Sequence, residues 1–275
     1  MAPMNNRLLV PRASFDPRRL AGLEGWWDAA DASSLTLDSG RVATWADKSG
    51  KSRNAVNSTS GSTQPDYVIA AKNGRNVVRF ASASSQFLQA GSVGDWNFLH
   101  DGTKASVFVV ARCFDAADPA VLGVIVDTGS VSSAQVGLGI YFDDRPVSRN
   151  DALVISGVRG SAGNLTVSSV QNNVLTPNTY VLIETNLDLG NATANLRALS
   201  RVNGGSQSGS NIFTNAPSTA NSSYTLAFAR GQSATPEAYF TGDICEVLMY
   251  SQHPTTAAQT AIRQYLAAKW GITLA

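Results

Sequence analysis

The chain of 275 residues carries 21 Lys and Arg against 20 Asp and Glu, a formal net charge of +1. With no Lys/Arg block in this near-neutral balance, it lacks the electrostatic footprint of a nucleic-acid or anionic-membrane binder, and no apolar run approaches the ~18 residues of a spanning helix. At 43% hydrophobic and 15% charged, with 23 glycines, it has the core material of one large β domain and not the composition of a disordered chain.

Residues 1–20 (MAPMNNRLLVPRASFDPRRL) hold three prolines and no sustained periodicity, so they read as an extended N-terminal arm. Arg7, Arg12, Arg18 and Arg19 make it the densest basic stretch, which suits either a docking segment or a solvated leader. Residues 21–275 form the expected domain, opening where apolar residues and two tryptophans cluster at Leu20 to Trp27. A short run around Val42, Trp45 and Ala46 ends in the turn Asp47-Lys48-Ser49-Gly50. After a polar loop at Ser58 to Pro65 come two strands, Asn76 to Phe80 (NVVRF) and Gln86 to Gln89 (QFLQ).

Ala105 to Phe114 (ASVFVVARCF) is β-branched and aromatic, with too little polar content for a surface helix. Further strands are predicted at Val121 to Val126, Val136 to Phe142, Leu153 to Val158, Leu165 to Val170, Thr179 to Leu187 and Ala192 to Val202. Residues 203–223 read as a long glycine-rich loop anchored by Ile212 and Phe213. Tyr224 to Ala229 and Tyr239 to Tyr250 close the series. About a dozen strands at this spacing predict an all-β antiparallel sandwich of jelly-roll type.

The C-terminus changes period. Over 256–270, Ala258, Ile262, Tyr265 and Leu266 share one helical face, Thr256-x-x-Gln259 has the form of a capping box, and Gly271 stands at the stop. The predicted α-helix must cover the sheet, because so short a helix is marginal alone in water.

Several stretches taken together carry a resemblance. LAGLEGWWDAADASSLTL, VATWADKSG, QPDYV, NVVRF and QFLQ, with YFTGDICEVLMYSQHPTTAAQTAIRQYLAAKWGI at the other end, resemble laminin-G-like, concanavalin A-like domains of bacteriophage virion proteins. The matches bracket residues 20–273. The resemblance implies a concanavalin A-like jelly roll in a virion component, located on the capsid, at a fibre or along the tail. Its expected partners are other virion proteins, reached through residues 1–20, and further copies of itself in a homo-oligomer. Met1 to Pro11 lacks the apolar core and cleavage site of a signal peptide, so synthesis in the host cytoplasm is expected.

The candidate chemistry is sparse. Glycoside hydrolysis needs two facing carboxylates, and the glutamates are Glu24, Glu184, Glu237 and Glu246. Asp243-x-x-Glu246 spacing predicts opposite faces of a strand, and Glu184-x-x-x-Asp188 spans the end of one. His100 and His253 read as surface or loop histidines without a nucleophile motif. Cys113 and Cys245 read as buried free thiols without metal or redox spacing. No enzyme is therefore expected, and no cofactor. Calcium would find its best local cluster at Asp143, Asp144, Asn150 and Asp151, with Arg145 and Arg149 among them as neutralising partners.

The alternative function is carbohydrate binding, to a bacterial surface glycan. Asp95, Trp96 and Asn97, in the stretch GDWNFLHDG, would provide a rim loop with an aromatic platform; a core role for Trp96 stands beside that reading. Trp26, Trp27, Trp45 and Trp270 are assigned to the core or the helix seat.

Overall fold

A computed structural model describes residues 15–114, 122–129, 136–143, 176–209, 216–233 and 238–275, and the backbone of 152–159 and 165–171. The strands run in chain order as follows. The first eight are β1 (Leu23–Asp28), β2 (Leu35–Asp38), β3 (Arg41–Trp45), β4 (Ala55–Val56), β5 (Asp66–Lys72), β6 (Arg75–Phe80), β7 (Leu88–Ala90) and β8 (Lys104–Cys113). The next four are β9 (Leu122–Asp127), β10 (Gly139–Asp143), β11 (Ala152–Arg159) and β12 (Leu165–Gln171). The last are β13 (Tyr180–Asp188), β14 (Ala198–Val202), β15 (Leu226–Phe228) and β16 (Gly242–Tyr250), followed by helix α1 (Thr256–Trp270).

All pair antiparallel in one continuous sheet, ordered β12-β11-β10-β9-β15-β7-β4-β3-β5-β6-β16-β8-β13-β14, with β1 on β16 and β2 on β3. The sheet curls over to face itself. Trp27, Trp45, Trp96, Phe80, Phe228 and Val109 meet between the two layers in the main core. A second core, with Trp26, Phe108, Val110, Leu182, Leu248, Ile262, Leu266 and Trp270, lies between the outer face of β16, β8 and β13 and helix α1.

Those two cores explain the composition of the central strands. Val107, Val109 and Ala111 of β8 enter the main core, while Phe108 and Val110 enter the helix seat. A strand buried on both faces reads as a continuous apolar run instead of an alternating one. β16 is buried along its whole length for the same reason. The β5–β6 hairpin turns at Asn73 and Gly74, both at positive φ (49° and 69°), which matches the right-handed strand twist.

The helix spans the predicted residues, with a shifted cap. The N-cap is Thr255, whose hydroxyl accepts the Ala258 N–H, and Gln259 donates to the Pro254 carbonyl. Gly271 ends the helix in the left-handed conformation. Of the arm, residues 1–14 lie outside the described residues. Residues Pro17–Arg19 form a 3-10 turn with Pro17 buried, and Phe15 packs on Tyr265 at 5.2 Å between ring centroids. Phe15 and Pro17, within the expected arm, are thus packed on the rest of the chain. Among the described residues no helix is long and apolar enough to cross a membrane.

Candidate functional site

Three of the motifs behind the resemblance meet at the helix seat. The Asp47 carboxylate accepts the N–H groups of Trp26, Ser49 and Arg53, pinning the Asp-Lys-Ser-Gly turn against β1. Lys48 then bridges Asp28 and Asp31 and lies 4.5 Å over the Trp26 ring. From the helix, Lys269 bonds Asp28 and Glu246, and the indole N–H groups of Trp26 and Trp270 both donate to Glu246 at 2.8 Å. WWDAAD, WADKSG and AKWG are thus parts of one weld between sheet and helix.

The carboxylates on this face differ from the expectation. Ile244 of β16 pairs with Ala111 of β8, and Glu246 pairs with Val110, so Cys245 is an extra, bulged residue. Arg112 and Val110 share one face of β8, and their partners Asp243 and Glu246 therefore share it too. The predicted opposite faces of Asp243-x-x-Glu246 are corrected by the bulge.

Each of these buried carboxylates is held by donors. Glu246 accepts from Trp26, Trp270, Lys269 and the Tyr265 hydroxyl; burial, with Asp28 beside it, pushes its pKa up from the ordinary value. Glu184 accepts from Asn186 and Arg263, with Arg201 at 3.6 Å. Asp243 accepts from Arg79, Arg112 and the Tyr180 hydroxyl. Their geometry is that of sheet and helix anchors. Glu24 pairs with Arg53, and Glu237 lies outside the described residues.

Of the histidines, His100 corrects the expected surface placement, while the half-buried His253 stands in the loop before α1 as expected. His100 is fully buried and its Nε2 meets the Ala220 carbonyl at 2.9 Å; His253 Nε2 meets the Leu187 carbonyl. Burial pushes both pKa values down. Cys113 and Cys245 are buried and not joined in a disulfide.

The predicted rim loop is closed. Trp96 is fully buried, its indole N–H donates to the Ala90 carbonyl, and its ring packs against Trp27. It has no open face for a sugar, and the core role is the one the structure gives it. Asp95 is held in a capping box with Ser92 and in an ion pair with Arg53, and Asn97 donates to Asn221. Of the calcium cluster, Asp143 is buried in β10, while Asp144, Arg145, Arg149, Asn150 and Asp151 lie outside the described residues, as do Ile212 and Phe213.

Beyond the helix, on the same outer face, a different arrangement stands open. Residues paired directly across neighbouring strands form one row: Arg41 of β3, Asp66 of β5, Arg79 of β6, Asp243 of β16, Arg112 of β8 and Tyr180 of β13. Opposite charges alternate along it, the favourable cross-strand arrangement. At ~4.8 Å between strands the row spans roughly 24 Å.

Its far end is aromatic. The Arg112 guanidinium lies 4.5 Å from the rings of both Phe114 and Tyr180, with Arg79 over Phe114 at 4.9 Å and Lys72 over Tyr180 at 5.3 Å. Phe114, Tyr180 and Lys72 are all half-buried, and the Arg79 and Arg112 side chains keep 32% and 20% of their surface open. Burial and the Asp243 hydrogen bond hold the Tyr180 phenol protonated. No residue of this row was singled out as a binding residue in the sequence, because its members are distant in the chain and only the pairing register unites them.

Concavities also lie elsewhere among the described residues. An open hollow of about 550 Å³ borders Phe15, Arg75, Tyr265 and Lys269, whose polar ends already serve the helix seat. A groove of about 150 Å³ is lined by Val56, Ser58, Thr59, Phe87 and Gln89.

No protein-family model matches the chain, and no curated protein matches it by sequence. Solved structures do match in fold. The binding domain of Paraclostridial Mosquitocidal Protein 1 superposes with a TM-score of 0.59 at 12% identity, covering 90% of this chain and 52% of that one. The botulinum neurotoxin serotype G binding domain gives 0.53 at 10%, covering 90% and 54%. Domain 4 of AbnA, an extracellular GH43 arabinanase of Geobacillus stearothermophilus solved with arabinotriose, gives 0.53 at 13%, covering 89% and 98%. The chain thus spans about half the length of the first two structures and nearly all of the arabinanase domain. It has the lectin-like β-sandwich fold of these domains.

Proposed function

We propose that this chain is a non-catalytic carbohydrate-binding domain whose binding face is the open row ending at Arg112, Phe114 and Tyr180. The observation that carries the reading is the pair of half-exposed rings around a guanidinium, beside further arginine donors, on a rigid sheet face. Aromatic rings present flat apolar area to a sugar ring, and guanidinium groups donate to its oxygens. The fold likeness to a domain solved with arabinotriose supports it. The occupied carboxylates at the helix seat support a binding role over a hydrolytic one.

A glycan array probed with the whole chain tests the reading. Binding to at least one glycan class is expected, with a loss of about tenfold in Phe114→Ala and Tyr180→Ala. A blank array, or full binding by both variants, overturns it. Asp95→Ala and Asn97→Ala serve as the rim-loop arm, since losses there with an intact row move the site to that loop.

A second reading, a structural component of a bacteriophage particle with a concanavalin A-like jelly-roll domain, draws on the three welded motifs. It predicts a symmetric oligomer in solution, and an arm-less chain lacking residues 1–14 that no longer joins particles. A monomer whose arm-less form still co-purifies with particles counts against it.

A further inference from the structure

The row offers more donors than its own acceptors use. Asp243 takes Arg79, Arg112 and the Tyr180 hydroxyl on its two oxygens, and Asp66 takes Arg41. Four cations, Arg41, Lys72, Arg79 and Arg112, thus meet two carboxylates. Lys72 forms no ion pair among the described residues, and its ammonium lies over the Tyr180 ring. The Nε of Arg112 is buried with no hydrogen-bond partner.

That imbalance selects among ligands. A neutral sugar presents hydroxyls that donate as well as accept, and a matching site needs free acceptors for them. At the aromatic end the carboxylate, Asp243, is fully buried with both oxygens engaged, and Asp66 stands three strands away from Arg112 beside Arg41. A carboxylate or sulfate group supplies acceptor oxygens alone, and charge-assisted bonds from arginine to such groups are the stronger class. The half-buried setting screens them less than a fully exposed one.

We propose that the glycan held on this row is acidic, with its anionic group taken by Arg112 and Lys72 and its ring laid on Tyr180 or Phe114. This rests on the carbohydrate-binding reading and names the ligand class within it.

The test is calorimetric titration of the full chain with three probes of equal length: an oligogalacturonate, a neutral oligogalactan and a sulfated oligogalactan. At least one acidic probe is expected to bind about tenfold more tightly than the neutral one, with affinity falling as salt rises. The acidic probe that binds identifies carboxylate or sulfate as the recognised group. Arg112→Gln should abolish the preference. Lys72→Gln, at a position with no ion pair to lose, should weaken it about threefold to tenfold with the unfolding midpoint unchanged. Neutral binding equal to both acidic probes overturns the acidic assignment and leaves carbohydrate binding standing. Acidic binding unchanged in both variants also overturns it. Failure of all three probes together with a blank glycan array removes both readings.

Discussion

Asp243 and Glu246 share one strand and one sheet face, yet their surroundings differ in kind. Glu246 lies beneath α1, closed in by two indoles, a phenol and Lys269. Asp243 is just as buried, but its ligands Arg79 and Arg112 keep part of their surface in water. The helix turns one set of charges into a weld and leaves the other as a platform. The same chemistry serves structure where it is covered and is available for recognition where it is not.

That contrast is broken most readily from the covered side. Glu246→Ala leaves Lys269 without one of its two carboxylates and strands two buried indole donors, so a loss of about 3–5 kcal/mol is expected by denaturant unfolding. If this variant unfolds at the wild-type midpoint, the weld is not what seats the helix. Trp96→Ala should cost about 3–5 kcal/mol through the cavity it opens, while glycan binding by the folded fraction stays intact. Loss of binding without loss of stability would restore the rim loop as the site.

Changes on the open side should be milder for stability. Tyr180→Phe removes one donor from an Asp243 that keeps two arginines, at about 1 kcal/mol; it retains the ring, so it separates stacking from hydrogen bonding in a binding assay. The smallest effect concerns pH. The unfolded chain protonates His100 and His253 near 6.5, whereas burial holds their folded values lower. Their contribution is therefore full above 6.5 and declines as pH falls below it, by at most about 1.4 kcal/mol per pH unit for His100 and by less for the half-buried, solvent-screened His253. Thermal unfolding from about pH 8 to 5.5 reads this slope, which should shrink in His100→Gln.

How far the sequence reveals these features depends on how local they are. Helix α1 and Gly271 follow from spacing and glycine conformation, and β8 and β16 from apolar runs. The cap moved from Thr256 to Thr255 because both threonines suit the position. The Asn73-Gly74 turn was a short-range hairpin signal that the strand beginning at Asn76 concealed. Trp96 was ambiguous because a polar rim and a tight 3-10 turn share the same composition; only the packing of Trp27 decides it. The Arg41–Tyr180 row depends on register between segments up to 164 residues apart, beyond any local pattern.

The bulge at Cys245 behaves as a one-step change of phase in β16. On its C-terminal side the alternation is set by the helix seat; on its N-terminal side it is set by the arginines of β6 and β8. A regular ladder through the same residues, with Cys245 paired instead of bulged, would keep the seat in phase and swing Asp243 toward the main core, where no guanidinium waits. Arg79 and Arg112 would then face one another across β16 with no anion between them. Whether this domain has an open face or a self-repelling one thus turns on one residue that β8 leaves unpaired.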